Sequence, residues 1–323
     1  MKRLIWFALP LCAVVLIVLP LGLKSYGIYA LTYWAISTIA AHGLNLTLGY
    51  AGQISLAQGA FVGIGAYTTA LLTTHGVPFG VALIASFLLC LAIGWLLGYP
   101  ALRVQSHYLA FVTLAFGTLA WLVFRNEEWL TGGVYGISDI PRPSVFGFST
   151  ENAVHFYWFS LFILAVVSFA MWWLVRSPWG RAFMALRENP VRALSLGVDT
   201  RRYTLMAFAI GAGLGGISGA LFAPLVQYID PAPFTLVLSF NLLLIVIVGG
   251  QGFFAGPFLG AIVAILLPEW LRFTGNAYLL IYAGLVMVMM VFAPTGLLGL
   301  WKRLTTRHIP TGAPVASLDG TVR

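Results

Sequence analysis

The chain has 323 residues, of which 60% are apolar and only 8% are charged. Soluble domains are about 45–50% apolar and about 25% charged. The composition therefore excludes a soluble globular protein, and it excludes a disordered chain, which requires low hydrophobicity. The net charge of +8 is typical of a membrane protein whose cytoplasmic loops hold Lys and Arg. The predicted environment is the lipid bilayer, with no nucleic-acid partner.

Ten segments are apolar and long enough to be considered as membrane spans, which take about 20 residues each. They cover residues 4–23, 26–48, 52–72, 80–100, 108–124, 155–175, 203–222, 236–250, 253–268 and 277–294. The first lacks a small-x-small cleavage site and exceeds the apolar length of a signal peptide, so we expect it to be retained. These spans predict an all-α permease domain over residues 1–304 and a polar tail over 305–323.

Lys and Arg are distributed unequally between the two sides of this topology. Ten spans place thirteen of them on one side and four on the other, which predicts that both termini are cytoplasmic. The loop 176–202 then lies inside with six arginines, and the loop 125–154 lies outside.

Two pairs of spans are separated only by short glycine-containing junctions, Gly49-Tyr50-Ala51 and Gly250-Gln251-Gly252. Each junction is either a tight turn at the surface or a break in a helix inside the protein. The pattern Gly52-Gln53…Gly59-Ala-Phe-Val-Gly63 is echoed, with one gap, by Gly250-Gln251…Gly256-Pro-Phe-Leu-Gly260. Internal repeats of this kind are common in transporters.

The arginine-rich loop carries signals for two short helices. The first is predicted from about Pro178 to Glu188. The second has Asn189 as N-cap and Pro190 as first residue, continues over Val191–Leu196, and stops at Gly197. Its apolar face would hold Val191, Leu194 and Leu196, with Arg187 and Arg192 at the rim. This pattern fits a docking element, and it also fits a basic loop that only fixes topology.

Small and polar residues mark the segment 49–67. Gly59 and Gly63 form a GxxxG pair that favours close helix packing. Gln53, Ser55 and Gln58 need polar partners or a water-filled cavity in a membrane. The segment is therefore interpreted either as the lining of a substrate path or as a packing helix with interhelical hydrogen bonds.

A second glycine series reads Gly211-Ala-Gly-Leu-Gly-Gly216 and matches a dinucleotide-binding pattern only formally, because it lies in a predicted span and not in a soluble βαβ unit. We expect Gly211, Gly215 and Gly219 to form a packing ridge.

Several kinds of chemistry are excluded by counting. The only lysines are Lys2, Lys24 and Lys302, and none follows Gly, so no phosphate-binding P-loop exists; any ATP must be bound by another chain. The spans hold no clear midplane Asp, Glu, Lys or Arg, which argues against ion-coupled transport. His42 is interpreted as a hydrogen-bonded packing residue. Cys12 and Cys90 are interpreted as core residues, and no metal site is predicted.

The chain resembles the LivM-type permeases of bacterial ABC importers for branched-chain amino acids. The resemblance rests on five stretches in the family's order: GLNLTLGYAGQISLAQGAFVGIGAY (43–67), TGGVYGISDIP (131–141), GRAFMALRENPVRALSLGVD (180–199), GGISGALFAP (215–224) and VGGQGFFAGPFLGA (248–261). They cover most of the chain from 43 to 294, and their specificity lies in their combination.

The resemblance implies the all-α type II importer fold in the bacterial inner membrane. The implied partners are a second related permease subunit, two ATPase subunits that hold ATP and Mg²⁺, and a periplasmic binding protein; this chain itself would bind no cofactor and would not be an enzyme. Residues 131–141 would lie near the binding protein or the outer gate. The implied ATPase-coupling residues are Arg181, Arg187, Glu188, Asn189, Pro190, Arg192, Leu194 and Gly197.

An uncharged polar path suits a zwitterion with an apolar side chain, and the predicted lining residues are Asn45, Gln53, Ser55, Gln58 and Asn241. The glycines predicted to pack helices are Gly59, Gly63, Gly211, Gly215, Gly219, Gly256 and Gly260. Two alternatives stay open: an importer of the same architecture for urea, short amides or aromatic acids, and an ATP-independent channel or secondary carrier.

Overall fold

The computed structural model describes residues 16–101, 106–145, 148–271 and 296–300, with isolated positions at 281, 284, 287 and 288. The predicted tail 305–323, Cys12, and most of the first and last predicted spans lie outside these residues. Within them the chain is mainly helical. The helices are α1 (Ser25–Leu44), α2 (Gln58–Thr74), α3 (Phe79–Ala101), α4 (Ser106–Asn126), α5 (Glu128–Thr131), α6 (Ala153–Arg176), α7 (Pro178–Glu188), α8 (Pro190–Ser195), α9 (Thr200–Val226), α10 (Leu236–Gly249), α11 (Gly256–Ala261) and α12 (Leu267–Leu271).

Two helical segments widen into π-helices. Asn45–Tyr50 extends α1, and Ile262–Leu266 connects α11 to α12. Short 3-10 turns lie at Leu19–Gly22, Gly133–Tyr135 and Ala232–Phe234. A small antiparallel pair joins β1 (Ser144–Val145) to β2 (Phe148–Ser149).

Among the described residues, four helical segments are long and apolar enough to cross a membrane: Phe79–Tyr99, Leu109–Asn126, Ala153–Arg176 and Thr200–Val226. Leu236–Gly249 and Gly256–Leu266 are shorter apolar helices. The chain is therefore a mainly helical, multi-span membrane protein, and the total of ten spans stays a prediction.

Helix α9 lies at the centre of the bundle. In its most apolar window 78% of residues are buried, against 22–28% in the other three long apolar helices. Its composition explains this position, because small residues let neighbouring backbones approach closely. A methyl group on Gly211 would meet Gly43 of α1, and one on Gly216 would meet Ser86 and Cys90 of α3. The glycine series thus allows α9 to pack closely against α1 on one face and against α3 on another.

The two glycine-glutamine junctions have different structures. The first junction, residues 51–57, is non-helical over its whole length, whereas the second, residues 250–255, is a compact turn between α10 and α11. The prediction that the third span is helical from residue 52 is wrong. Its helix starts at Gln58, whose side-chain amide donates to Ala40 near the end of α1 and to Gly211 in the middle of α9. The non-helical segment 51–57 therefore returns the chain to the side of α1, and it is partly buried against the bundle.

Candidate functional site

The arginine-rich loop, residues 176–202, consists of α7 and α8, and each helix begins at a side-chain cap. The Ser177 Oγ accepts the Trp179 N–H at 3.1 Å before α7, and the Asn189 Oδ1 accepts the Arg192 N–H at 3.0 Å before α8. The predicted stop is also present, because Gly197 adopts φ +82° and the Val198 N–H bonds to the Ala193 carbonyl at 3.0 Å. These are short-range interactions, which is why the sequence predicts both helices.

Helix α7 is anchored to the membrane bundle. Phe183 and Leu186 are buried, and the Phe183 ring packs edge-on against Tyr203 of α9 at 6.0 Å. Gly180 allows the backbone to pass the Val175 carbonyl, which a methyl group would overlap. Arg181 and Glu188 are exposed on this helix. Because α7 is packed against the membrane bundle, it can hold α8 at a defined position.

Helix α8 exposes its apolar side chains. Val191 is 73% exposed, Leu194 62% and Leu196 83%, and only Ala193 is buried. Arg192 is exposed beside them. Val191 and Leu194 on this capped helix, with Leu196 at its C-cap and the exposed Arg192 beside them, form the kind of patch that marks a protein interaction site. We call these three residues the α8 apolar face.

Arg187 is exposed, and its guanidinium is directed toward the membrane bundle. Its Nη1 donates to the Gly49 carbonyl, in the last turn of the helix formed by α1 and its π extension. The carbonyls of a last turn lack helical partners, and a guanidinium is a suitable donor to them. Pro190, which precedes the face, fills the first position of α8 as predicted.

A cavity of about 380 Å³ opens between α1, α2, α9 and α10, at the opposite end of α9 from the arginine-rich loop. Its polar lining consists of Tyr33, Ser37, Ser218, Thr235 and Asn241, and none of its lining residues is charged. Its apolar lining includes Ile36, Val62, Phe222, Phe234 and Leu238. Cavities of this size, mostly apolar with a few convergent polar groups, are typical of small-molecule sites.

Of the five predicted path residues, only Asn241 lines this cavity. Asn45 is buried and uses both ends of its amide on the second junction: Oδ1 accepts the Gly252 N–H at 2.9 Å, and Nδ2 donates to the Phe253 carbonyl at 3.0 Å. Gln58 is buried and bonds two helix carbonyls at 3.1 Å each. These two amides satisfy backbone groups of distant segments and do not line this cavity; their place on a substrate path stays a prediction.

Ser55 and Gln53 belong to the first junction. Ser55 is buried, and its hydroxyl accepts the Ala57 N–H at 3.4 Å. Gln53 is partly buried, and its backbone N–H bonds the Thr47 carbonyl at 2.8 Å. Sequence analysis missed Tyr33, Ser37, Ser218 and Thr235 because hydroxyl residues are frequent in spans and no local pattern distinguishes those that face a cavity.

The glycines selected from the sequence lie at close contacts between helices. Gly215 and Gly219 of α9 face α2, as a methyl group on them would meet Phe61 and the Val62 carbonyl respectively. The Gly59 N–H donates to the Ser239 Oγ at 2.9 Å, and Gly63 faces Phe124 and Phe234. Gly256 and Gly260 lie against the end of α10, at Gly250, Gly249 and Ile245.

His42 is a packing residue, but the predicted hydrogen bond is absent at one nitrogen. Its ring lies 5.5 Å from that of Phe254 and 5.0 Å from that of Phe258. Its buried Nε2 has no hydrogen-bond partner among the described residues. Cys90 is a buried free thiol whose Sγ lies 3.4 Å from the Phe61 carbonyl oxygen, in keeping with a core role.

The segment 131–141 is fixed beside the cavity by backbone pairing. Ile137 and Ile229 form an antiparallel bridge with N–H to carbonyl distances of 2.8 and 2.9 Å. Gly132, Gly133 and Gly136 all have positive φ, which explains the glycines of this stretch. Its partner Ile229 is followed closely in the chain by Ala232–Thr235, four residues that line the cavity.

The family described as "Branched-chain amino acid transport system / permease component" matches residues 27–294. The high-affinity branched-chain amino acid transport system permease protein LivM of Escherichia coli K12 is 35% identical over 291 residues, covering 83% of this chain and 68% of that protein. The probable LivM of Methanocaldococcus jannaschii is 27% identical over 68% of this chain and 67% of its own length.

The autoinducer 2 import system permease protein LsrC of Salmonella typhimurium is 24% identical over 68% of this chain and 65% of its own length. No solved structure matches the chain. The family match extends across the arginine-rich loop, both junctions and the cavity. The chain therefore belongs to the permease family of branched-chain amino acid transport systems.

Proposed function

We propose that this chain is a membrane-spanning subunit of an ATP-driven ABC importer for branched-chain amino acids in the bacterial inner membrane. It has ten spans in the type II importer arrangement, with residues 1–304 as the permease domain and both termini in the cytoplasm. It works with a second related permease, two ATPase subunits that hold ATP and Mg²⁺, and a periplasmic binding protein. Closure of the ATPases moves the arginine-rich loop, and the permease pair alternates between outward and inward access.

The observation that carries this proposal is the α8 apolar face. Val191, Leu194 and Leu196 are 73%, 62% and 83% exposed on a helix that is capped at both ends and held by the anchored α7. An unpartnered apolar face at a fixed position in a basic loop is suited to an apolar groove on another protein. A secondary carrier or channel has no need of such a face.

The cavity supports the substrate class. A charged side chain without a counter-charge is costly to place within the membrane, and none of the residues lining the cavity is charged. Hydroxyl groups and the Asn241 amide can bind an amino acid's ammonium and carboxylate, while Phe222, Phe234 and Val62 contact an aliphatic side chain. The substrate varies among relatives of this chain, because LsrC, named for autoinducer 2 import, is one of them.

The docking claim is tested by capture of the ATPase subunits on the purified permease. The double variant L194D/L196D should reach the membrane and lose most of the captured ATPase, because two carboxylates then face the apolar groove. Val134→Asp is the matched control, since Val134 is 63% exposed in the loop 125–154, on the opposite side. ATPase capture by the double variant at the level of this control would contradict the proposal.

The transport claim is tested by uptake into proteoliposomes that contain the assembled complex and its binding protein. Leucine should accumulate only with ATP, and Asn241→Leu should reduce its uptake while ATPase capture is unchanged. Uptake of urea or short amides in preference to leucine would favour the related substrate class. ATP-independent accumulation would favour a channel or secondary carrier.

A further inference from the structure

Three helix ends meet at Arg187. The residue lies in the last turn of α7, its Nη1 donates to the Gly49 carbonyl at the end of the α1 π extension, and the same Nη1 fills the space where a methyl group on Gly252, just beyond α10, would lie. A helix C-terminus carries a partial negative charge equivalent to about half an electron. The guanidinium is therefore favoured by the end of the α1 extension, whose Gly49 carbonyl it binds, and it lies against the turn that follows α10.

The contact involves the backbone of both junctions. Gly52, with φ +70°, faces Arg187, because a methyl group added to it would lie 3.3 Å from both the Arg187 Cα and the Arg187 Cγ. Gly252, with φ +79°, faces the guanidinium. Glycine suits these positions for two reasons, since it tolerates positive φ and leaves room for Arg187.

The π extension of α1 is also joined to the second junction without Arg187. The Asn45 side chain accepts the Gly252 N–H at 2.9 Å and donates to the Phe253 carbonyl at 3.0 Å. A methyl group on Gly49 would overlap both the Asn45 Oδ1 and the Gly252 nitrogen. The ends of α1 and α10 therefore form one unit, and Arg187 is the described side chain that hydrogen-bonds this unit from the arginine-rich loop.

We infer that Arg187 is a positioning residue that fastens the arginine-rich loop to the joined ends of α1 and α10, so that displacement of the loop moves both helices together. Each of these helices contributes to the wall of the cavity, through Tyr33, Ile36 and Ser37 in α1 and Val237, Leu238 and Asn241 in α10. Motion of the loop at one end of the bundle would thus change the cavity at the other. The inference rests on the proposed coupling role of the loop.

The test separates attachment from docking. In the reconstituted complex, Arg187→Ala should capture ATPase as the unaltered protein does, because the α8 apolar face is intact. The attachment equilibrium should weaken by about tenfold or more on loss of a hydrogen bond to a charged group, so the substrate moved per ATP should fall because the loop then moves without α1 and α10. Arg187→Lys should restore part of this ratio, since it keeps the cation and one donor. A merely structural role would lower assembly and leave substrate moved per ATP unchanged in the complexes that form.

A second pair of variants leaves Arg187 unchanged and alters the glycine that its guanidinium contacts. Gly252→Ala places a methyl group on the guanidinium, and Gly76→Ala is its control, because Gly76 has φ +83° and nothing within 4 Å of an added methyl group. Gly252→Ala should lower substrate moved per ATP, and Gly76→Ala should not. This pair decides the question should Arg187→Ala fail to accumulate.

Two results would overturn the inference: an unchanged ratio in both Arg187→Ala and Gly252→Ala, or loss of ATPase capture in Arg187→Ala, which would make Arg187 a docking residue. Failure of the proposed function is a different result, since L194D/L196D would then retain ATPase.

Discussion

The two glycine-glutamine junctions have similar sequences and different conformations. The first junction has seven non-helical residues, 51–57, and ends where α2 begins at Gln58, whose side chain bonds α1 and α9. The second junction is a short turn, and the helix that follows it, α11, packs against the preceding helix, α10. Gly260 there lies against Ile245 and Gly249. The similar glycine spacing thus predicts close helix packing after both junctions. It does not predict the packing partner, which is α9 for α2 and α10 for α11.

The largest expected effect on stability is at Gly260, which occupies the same position in the glycine pattern after the second junction as Gly63 does after the first. Gly260→Ala would place a methyl group 2.7 Å from the Ile245 carbonyl carbon and 3.0 Å from the Gly249 nitrogen, which are backbone atoms. We expect it to destabilise the purified protein by about 3 kcal/mol or more, since backbone cannot yield as side chains do. The measurement is the thermal unfolding midpoint in detergent.

Gly63→Ala is the comparison for this variant. Its methyl group would meet the Phe124 ring at 2.6 Å and the Phe234 ring at 3.0 Å, and rings can rotate, so a loss of about 1 kcal/mol is expected. Equal losses for the two variants would show that the junctions differ less than their contacts indicate.

A medium effect is expected at the helix start that is particular to the first junction. Gln58→Leu removes two hydrogen bonds to the Ala40 and Gly211 carbonyls and should cost about 1–3 kcal/mol of unfolding free energy. Gln53→Leu is the control, because Gln53 is only partly buried and bonds the first junction through its backbone N–H. A larger loss of unfolding free energy for Gln53→Leu than for Gln58→Leu would contradict the assignment of Gln58 as the glutamine that stabilises the start of α2.

The smallest effect concerns the first turn of α2. Ser239→Ala removes the acceptor of the Gly59 N–H and should cost about 1 kcal/mol. Ser168→Ala is its control, because the buried Ser168 Oγ has no hydrogen-bond partner among the described residues, and removing it should be neutral within about 0.5 kcal/mol. Unfolding midpoints that fall equally in the two variants would argue against a specific contact between α10 and α2.

Some of this structure follows from the sequence alone. Composition places the chain in a membrane, and the pairs Ser177-Pro178 and Asn189-Pro190 together with Gly197 set the ends of α7 and α8. Those helices are predictable because a cap bonds a backbone group two or three residues away, so the signal and its partner lie in the same short stretch.

Tertiary structure decided which polar residues face the cavity. Asn45 and Gln58 look like path residues in the sequence, yet their partners lie 207 and 153 residues away in the chain, on backbone that no local pattern connects to them. Buried backbone groups must be paired, and in a membrane these two amides pair them, which leaves hydroxyls and Asn241 for the cavity. The role of Arg187 was equally hidden, because three helix ends that meet at one guanidinium exist only after the chain has folded.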